Sequence, residues 1–176
     1  YRIPAKVHNL AMNIINKIKN RIDKTWEPKV NQGNLQRHFD IESIDMSTGD
    51  WLVLSRTRHM LNDIEESLYR KGLYYSNRYK RSNEQDLHEA ATAWENALRG
   101  QPLSYKQVIN ISKFMGPKHW HAKKIQGMAK GSFYDIDQLI NDYGLQVKTV
   151  WYEAFDNAGQ TKVDYLRKMR RNGEKL

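Results

Sequence analysis

The stretch from Trp51 to Tyr75 constrains the fold more than any other part of the chain. It opens with an unbroken apolar run, Trp51-Leu52-Val53-Leu54, which is typical of a strand covered on both faces. A polar turn and a segment with helical periodicity follow, Gly72 stands where a helix would end, and Leu73-Tyr74-Tyr75 resumes as a strand. The pattern predicts a β-α-β unit with parallel strands and a right-handed crossover. The apolar positions of its helix are Leu61, Ile64 and Leu68.

A second helical pattern precedes this unit. After Pro4, apolar residues recur at steps of three and four as far as Ile22, and lysines occupy the opposite face, which predicts an amphipathic helix. The alternation from Leu35 to Phe39 predicts a further strand. Residues 1–80 are therefore expected to form an α/β domain.

The character of the chain changes after Tyr75. Ser76 to Ser82 is a basic connector, which we interpret as the boundary between two domains. Beyond it, one face of a helix runs from Leu87 to Leu98, and Ser104 is placed to cap a second helix. Residues 81–176 are expected to be all-α. Further helices are predicted near Asp135–Tyr143 and Thr161–Arg171, and a short aromatic helix or turn is predicted at Trp151–Phe155.

The charge of the chain narrows the classes of partner. A net charge of +9 and a pI of about 9.6 favour polyanions such as nucleic acid. The absence of cysteine excludes disulfides and cysteine-ligated zinc, and no apolar run approaches the roughly 20 residues that span a membrane. We therefore expect a soluble, intracellular protein without membrane contact. No G-x-x-x-x-G-K-[ST] phosphate loop occurs in these residues.

The basic residues form three clusters, at Arg70–Arg81, Lys113–Lys130 and Lys162–Arg171. The middle cluster contains no acid and is interleaved with Phe114 and Trp120. Such a stretch suits a surface that follows phosphates and stacks bases on its aromatic rings. It suits equally a solvated face whose aromatic side chains turn inward, and the sequence leaves both interpretations open. The lysines concerned are Lys113, Lys118, Lys123, Lys124 and Lys130.

Two motifs carry a resemblance to a known family. Tyr1-Arg2-Ile3-Pro4 before one amphipathic helix, and Trp51-Leu-Val-Leu-Ser-Arg-Thr before another, resemble UvrD/Rep-type superfamily 1A DNA helicases, most closely the virus-type members. The resemblance implies that Tyr1 packs on the adenine of ATP and that Arg2 is catalytic, reaching the γ-phosphate. It places Arg56, Thr57 and Arg58 at the track of single-stranded DNA, with Arg58 where many relatives have asparagine. Thr57 as a helix cap, with Arg56 on the surface, is the alternative.

The resemblance also implies a domain organisation and partners. Residues 1–80 would be part of a RecA-like 2A domain with a parallel sheet, and residues 81–176 a helical 2B domain. The intact parent would use ATP and Mg²⁺, whereas this fragment lacks the Walker motifs and is expected to bind neither and to be inactive alone. Single-stranded and duplex DNA would be the partners, contacted in part by Lys118, Lys123 and Lys124, with protein partners through 2B. A cytoplasmic protein, one that a virus could encode, is expected.

The competing hypothesis comes from another functional class. A non-enzymatic basic DNA-binding or assembly protein, with the helical half as its binding module, would have the same charge and the same clusters. The phosphate loop upstream of Tyr1 and a Thr-Ile-His-x-x-Lys-Gly motif after Leu176 would distinguish the helicase from this alternative.

Overall fold

A computed structural model describes residues 3–78, 82 and 84–174. The chain divides into two compact units, Tyr1–Ile44 and Asp45–Leu176. This division differs from the predicted one near residue 80, because the helix predicted after Trp51 packs against the last helix of the chain.

The first unit is built on helix α1, Ala5–Ile15. Pro4 precedes it in an extended conformation, and the Ala5 amide donates to the Asn31 carbonyl at 3.0 Å, which fixes the returning chain beside the start of the helix. The helix ends well before Ile22, contrary to the predicted length. None of its residues, all of which are described, is fully buried, so its apolar stripe is only partly covered within this unit. A short 3₁₀ turn, Ile41–Ser43, ends the unit.

Only the helix of the predicted β-α-β unit is confirmed. Helix α2 spans Asn62–Lys71, and Gly72 ends it in the left-handed conformation, with φ of 69°. Trp51–Leu54 and Leu73–Tyr75, both within the described part, form no strand. Leu52 is 82% exposed and Leu54 is 81% exposed, so the apolar run is not buried on two faces. The predicted strand at Leu35–Phe39 is likewise absent from the described structure.

Helices dominate the rest of the second unit, as predicted. The longest, α3, buries the face that the sequence indicated, and the Trp94 indole donates from its centre to the Thr149 carbonyl at 2.7 Å. Ser104 and Gln107 form a reciprocal capping box at the start of α4, which confirms the predicted cap. The helices are α3 Gln85–Leu98, α4 Tyr105–Ser112, α5 Ala122–Ile125, α6 Ile136–Asn141, α7 Trp151–Ala154 and α8 Gln160–Arg171.

A two-stranded antiparallel sheet joins two of the loops between these helices. Strand β1, Leu103–Ser104, pairs with β2, Phe133–Tyr134. Among the residues described it is the only sheet, so the predicted parallel sheet is not found there. In the part of the chain that the structure describes, 44% of the residues are helical, so helix predominates over this small sheet.

Helix α8 holds the end of α2 in place. The Lys168 ammonium donates to the Arg70 carbonyl, and the Asn172 amide donates to the carbonyls of Lys71 and Gly72, each at 3.0 Å. These carbonyls at a helix C-terminus have no partner within the helix. Side chains of Lys168 and Asn172 therefore bind the carbonyl groups at the C-terminus of α2.

Candidate nucleic-acid interface

The middle basic cluster lies on a fixed backbone. It runs from the end of α4 through α5 to the turn before β2. The Trp120 indole donates to the Tyr143 carbonyl at 2.9 Å, and Ile125 and Met128 are buried in the core. These anchors hold the segment from its inner side, so that its polar side chains face solvent.

Both aromatic residues of this cluster point into the protein. Trp120 is only 3% exposed, and the ring of Phe114 stacks on that of Phe155 with 5.9 Å between centroids. Of the two interpretations left open by the sequence, the structure supports inward-facing aromatics. Neither Phe114 nor Trp120 is available to stack on a base.

The lysines of the cluster differ in their partners. Lys118, Lys123 and Lys124 are exposed, and no acid of the described residues lies within ion-pair distance of them. The Lys113 ammonium, in contrast, lies 3.4 Å from the Asp86 carboxylate. Within this cluster, the positive charge available to an anion is therefore that of Lys118, Lys123, Lys124 and Lys130.

The C-terminal basic cluster is largely engaged within the protein. The Arg170 guanidinium donates to the Glu95 carboxylate and to the Thr92 hydroxyl, both at 2.7 Å. The guanidinium of Arg167 lies over the Tyr152 ring at 4.1 Å, and the Lys162 ammonium is 2.6 Å from a Glu84 oxygen. This cluster has as many basic residues as the middle one, but its charges already stabilise contacts among α3, α7 and α8.

Arg56, Thr57 and Arg58 form a second exposed segment, ahead of α2. The Ser55 hydroxyl donates to the Thr57 carbonyl at 3.0 Å and tightens the turn. A 3₁₀ turn, His59–Leu61, starts at Arg58, and neither its N-cap nor that of α2 makes a side-chain cap bond. Thr57 therefore does not cap a helix, and a contact with single-stranded DNA stays a prediction.

Tyr1 and Arg2, which the resemblance assigns to ATP, lie outside the described residues. The residues predicted to contact DNA fall into two sets on separate elements of the second unit. The structure gathers Lys118, Lys123 and Lys124 along one segment, and it places Arg56–Arg58 on another. The nucleotide contact of Arg2 has no described geometry.

His119, in the middle basic cluster, contacts a backbone carbonyl and a carboxylate of the protein. His119 Nδ1 lies 3.0 Å from the Ala154 carbonyl oxygen and 3.5 Å from an Asp156 oxygen. That carboxylate also accepts from the Gly116 amide at 2.6 Å, so His119 and Asp156 tie the loop after α4 to α7. No group of three or more potential metal ligands occurs among the residues described.

A groove lies between α3 and α4. It has a volume of about 640 Å³, and its walls mix Asp86 and Glu89 with Lys106 and Lys113. His88 lines it too, and burial, followed by the charge of Arg170, holds the pKa of His88 below its usual value. With both signs of charge in its walls, this groove does not favour anions over cations.

Sequence reasoning missed one exposed aromatic residue. Phe133, on β2, is 67% exposed, whereas Tyr134 beside it is 3% exposed. A single phenylalanine among polar and glycine residues carries no periodicity from which its exposure follows. The pairing of β2 with β1, a contact between residues about thirty positions apart, is what turns it outward.

No known protein family, curated protein or solved structure matches this chain in sequence or fold. None of the helices in the described part of the chain has the length and apolar character that crossing a bilayer requires.

Proposed function

We propose that this chain is part of a superfamily 1A DNA helicase and that residues 118–124 contact the phosphate backbone of DNA. The observation that carries the DNA contact is that Lys118, Lys123 and Lys124 are exposed and have no acid within ion-pair distance among the described residues. Three ammonium groups on a fixed segment replace condensed counterions along a strand, and the release of those ions drives binding. Such contacts position the strand without reading its sequence.

The helicase part of the proposal rests on the two motifs. Tyr1-Arg2-Ile3-Pro4 stands directly before α1, and Ser55-Arg56-Thr57 stands before α2, the order that the resemblance requires. In the intact parent, Tyr1 and Arg2 would hold ATP with its Mg²⁺, which supplies the free energy for translocation. Arg56, Thr57 and Arg58 would hold the single strand, and the 2B part would contact duplex DNA and protein partners.

The RecA-like sheet belongs to the same proposal. The exposed run Trp51–Leu54 supports it, since an apolar segment of this kind is expected to be covered when its neighbours are present. A parallel strand is stable only inside a sheet that covers both of its faces. Residues 51–54 and 73–75 would become strands alongside strands contributed by other segments of a 2A domain. A non-enzymatic DNA-binding protein would use the same lysines but would need no such sheet.

Fluorescence anisotropy with a labelled oligothymidine and a labelled duplex tests the DNA contact. We expect binding whose affinity falls steeply with salt. Replacing Lys118, Lys123 and Lys124 together by glutamine removes three phosphate contacts, so the slope of log K against log salt should fall by about 2 on a single strand. The matched control replaces Lys6, Lys17 and Lys19, three exposed lysines of the first unit, by glutamine.

The control has the same net charge as the first variant, and we expect it to keep most of the slope. If both triple variants weaken binding equally, the effect is one of net charge, and the surface at residues 118–124 is not the site. An absence of binding at low ionic strength would contradict any DNA role. The helicase part is tested separately by the coding sequence on either side: a phosphate loop upstream and Thr-Ile-His-x-x-Lys-Gly downstream are expected.

A further inference from the structure

Phe133 is an anomaly in a well-covered helical core. Among described residues 84–174, the only large apolar side chains with substantial exposure are Phe133, at 67%, and Val150, at 38%. Burying a phenylalanine ordinarily stabilises a protein by about 1.5–3 kcal/mol, so this ring leaves a large gain unused. An aromatic face held in water at a defined position is a binding feature where its surroundings fit a ligand.

The backbone beneath Phe133 is held firmly. Phe133 pairs with Ser104 across the sheet, and the Tyr105 amide donates to the Ser132 carbonyl at 3.1 Å. On the opposite face, the Tyr134 hydroxyl donates to the Ala129 carbonyl at 3.0 Å. Ser104 is small, so it leaves the face of the Phe133 ring uncovered. The ring therefore projects from a fixed ribbon, and little conformational entropy remains to be lost on binding.

Lysines flank this ring along the chain. Lys130 lies three residues before Phe133, and Lys106 follows the Tyr105 amide that bonds the same ribbon. Both are exposed, and among the described residues neither has an acid at ion-pair distance.

The acids nearest in sequence are already engaged. Asp135 accepts from the Gln138 amide at 2.7 Å, and Asp137 pairs with Lys148 at 2.5 Å. Phe133 is thus an exposed aromatic ring, with Lys130 close to it along the chain and Lys106 on the segment that pairs with its strand. An aromatic ring with lysines nearby fits a base and its phosphates better than an apolar protein partner.

We propose that Phe133 stacks on a base of single-stranded nucleic acid while Lys130 and Lys106 contact the flanking phosphates. The proposal rests on the DNA-binding function proposed above and adds to it a stacking platform that Phe114 and Trp120 do not provide. Stacking on an aromatic side chain accepts any base, because every base has a π-face. The proposed nucleic-acid-binding surface would then extend from Lys118 through α5 to β2.

The test compares Phe133→Ala and Phe133→Trp with the unaltered chain on three ligands: oligothymidine, an abasic oligonucleotide of equal length, and a duplex. Stacking contributes about 1–3 kcal/mol per base, so Phe133→Ala should weaken oligothymidine binding about 5- to 150-fold. The abasic strand offers phosphates without a base, so its affinity should not change. Phe133→Trp should keep or raise the affinity for oligothymidine.

The salt slope separates stacking from charge. Phe133→Ala should leave it unchanged, whereas the triple replacement of Lys118, Lys123 and Lys124 lowers it. A fluorescent base analogue, 2-aminopurine, should change its emission on binding to the unaltered chain and not to Phe133→Ala. Circular dichroism should show the same thermal unfolding for both, since the ring is exposed.

Two results would overturn the inference. One is a Phe133→Ala variant that binds oligothymidine as tightly as the unaltered chain while the lysine variant is impaired, which would leave the DNA function standing. The other is an equal loss on the abasic strand, which would show that the ring supports the surface and does not stack. If the unaltered chain binds no DNA at all, the proposed function fails first, and the stacking role fails with it.

Discussion

The hydroxyl of Tyr165 joins three distant segments, and its removal gives a stability prediction that the structure makes quantitative. This oxygen lies 2.9 Å from the Leu73 carbonyl oxygen and 2.7 Å from Ser82 Oγ, and Ser82 Oγ in turn accepts from the Tyr75 amide at 2.9 Å. A phenol has one proton, which it donates to the Leu73 carbonyl, and the Ser82 hydroxyl then donates to the phenol oxygen. Every member of the chain of bonds is satisfied.

Tyr165→Phe keeps the ring and removes this junction. The ring stack on Tyr69, at 3.9 Å between centroids, survives. The Leu73 carbonyl belongs to a buried residue and loses its partner, and an unsatisfied buried acceptor costs about 1–3 kcal/mol. Including the weakened Ser82 bond, we expect the free energy of unfolding to fall by about 2–3 kcal/mol, with an unchanged denaturant slope.

Urea denaturation near pH 8, followed by circular dichroism, measures the loss. Tyr69→Phe is the matched control, because the Tyr69 hydroxyl makes, within the described part of the chain, only a long, exposed bond of 3.4 Å to the Thr161 carbonyl. Its removal should cost well under about 1 kcal/mol. A Tyr165→Phe variant no less stable than this control would refute the reasoning.

The same hydroxyl predicts a dependence on alkaline pH. Burial raises the pKa of Tyr165 to about 12, with the Ser82 hydrogen bond acting in the opposite sense. The folded state thus holds the proton more tightly than the unfolded chain, whose tyrosines titrate near 10. The contribution is complete below about pH 10 and is lost as the pH rises towards 12. By about pH 10.5 the difference in free energy of unfolding between the unaltered chain and Tyr165→Phe should narrow by about 1 kcal/mol. A difference that does not change with pH would contradict this linkage.

Two further substitutions test other features of the second unit. Gly72→Ala should lower the free energy of unfolding by about 2–4 kcal/mol, because φ is 69° and an added Cβ would come within 2.3 Å of Lys168 Cβ. Gly100→Ala is the control: φ is 90° but the space around it is open, so the loss should be only about 1 kcal/mol in the same urea assay. His88 has a buried Nδ1 without a partner among the described residues, and its pKa is lowered by burial and by Arg170, against Glu89 and Glu95. Stability should therefore fall as the pH drops below about 6.5, and His88→Gln should flatten that fall in the same urea assay.

The helical half of the fold was predictable because its signals are local. In α3, six residues were expected on one face: Leu87, Ala90, Ala91, Trp94, Ala97 and Leu98. The first five are buried, and Leu98 is partly buried against the same core. Ser104 was expected to cap α4, and it does. Each of these inferences needs only neighbours within one or two helical turns, together with a core for the apolar face.

The prediction of a strand at Trp51–Leu54 was wrong for the described structure, because a strand forms only by pairing with other segments of the chain. Four apolar residues in a row have the length and composition of a buried strand, but its hydrogen bonds must come from other segments. Helix α2, which follows it, makes most of its backbone hydrogen bonds within its own segment and forms without a neighbouring strand. The same distinction explains why the β1–β2 pair was not predicted. Each strand has only two residues, which are too few to show an alternating pattern.

The ion pairs of the structure show why only part of the candidate site could be predicted from the sequence. The clusters at Lys113–Lys130 and Lys162–Arg171 are equally basic to a reader of the sequence, yet Arg170 meets Glu95 from 75 positions away, and Arg167 covers the Tyr152 ring. Charge that an acid or an aromatic ring already holds must be released before it can bind phosphate, and that release offsets the gain. Lys118, Lys123 and Lys124 have no such interaction to break among the described residues. The affinity for a polyanion should therefore follow the unpaired lysines, not the local density of basic residues.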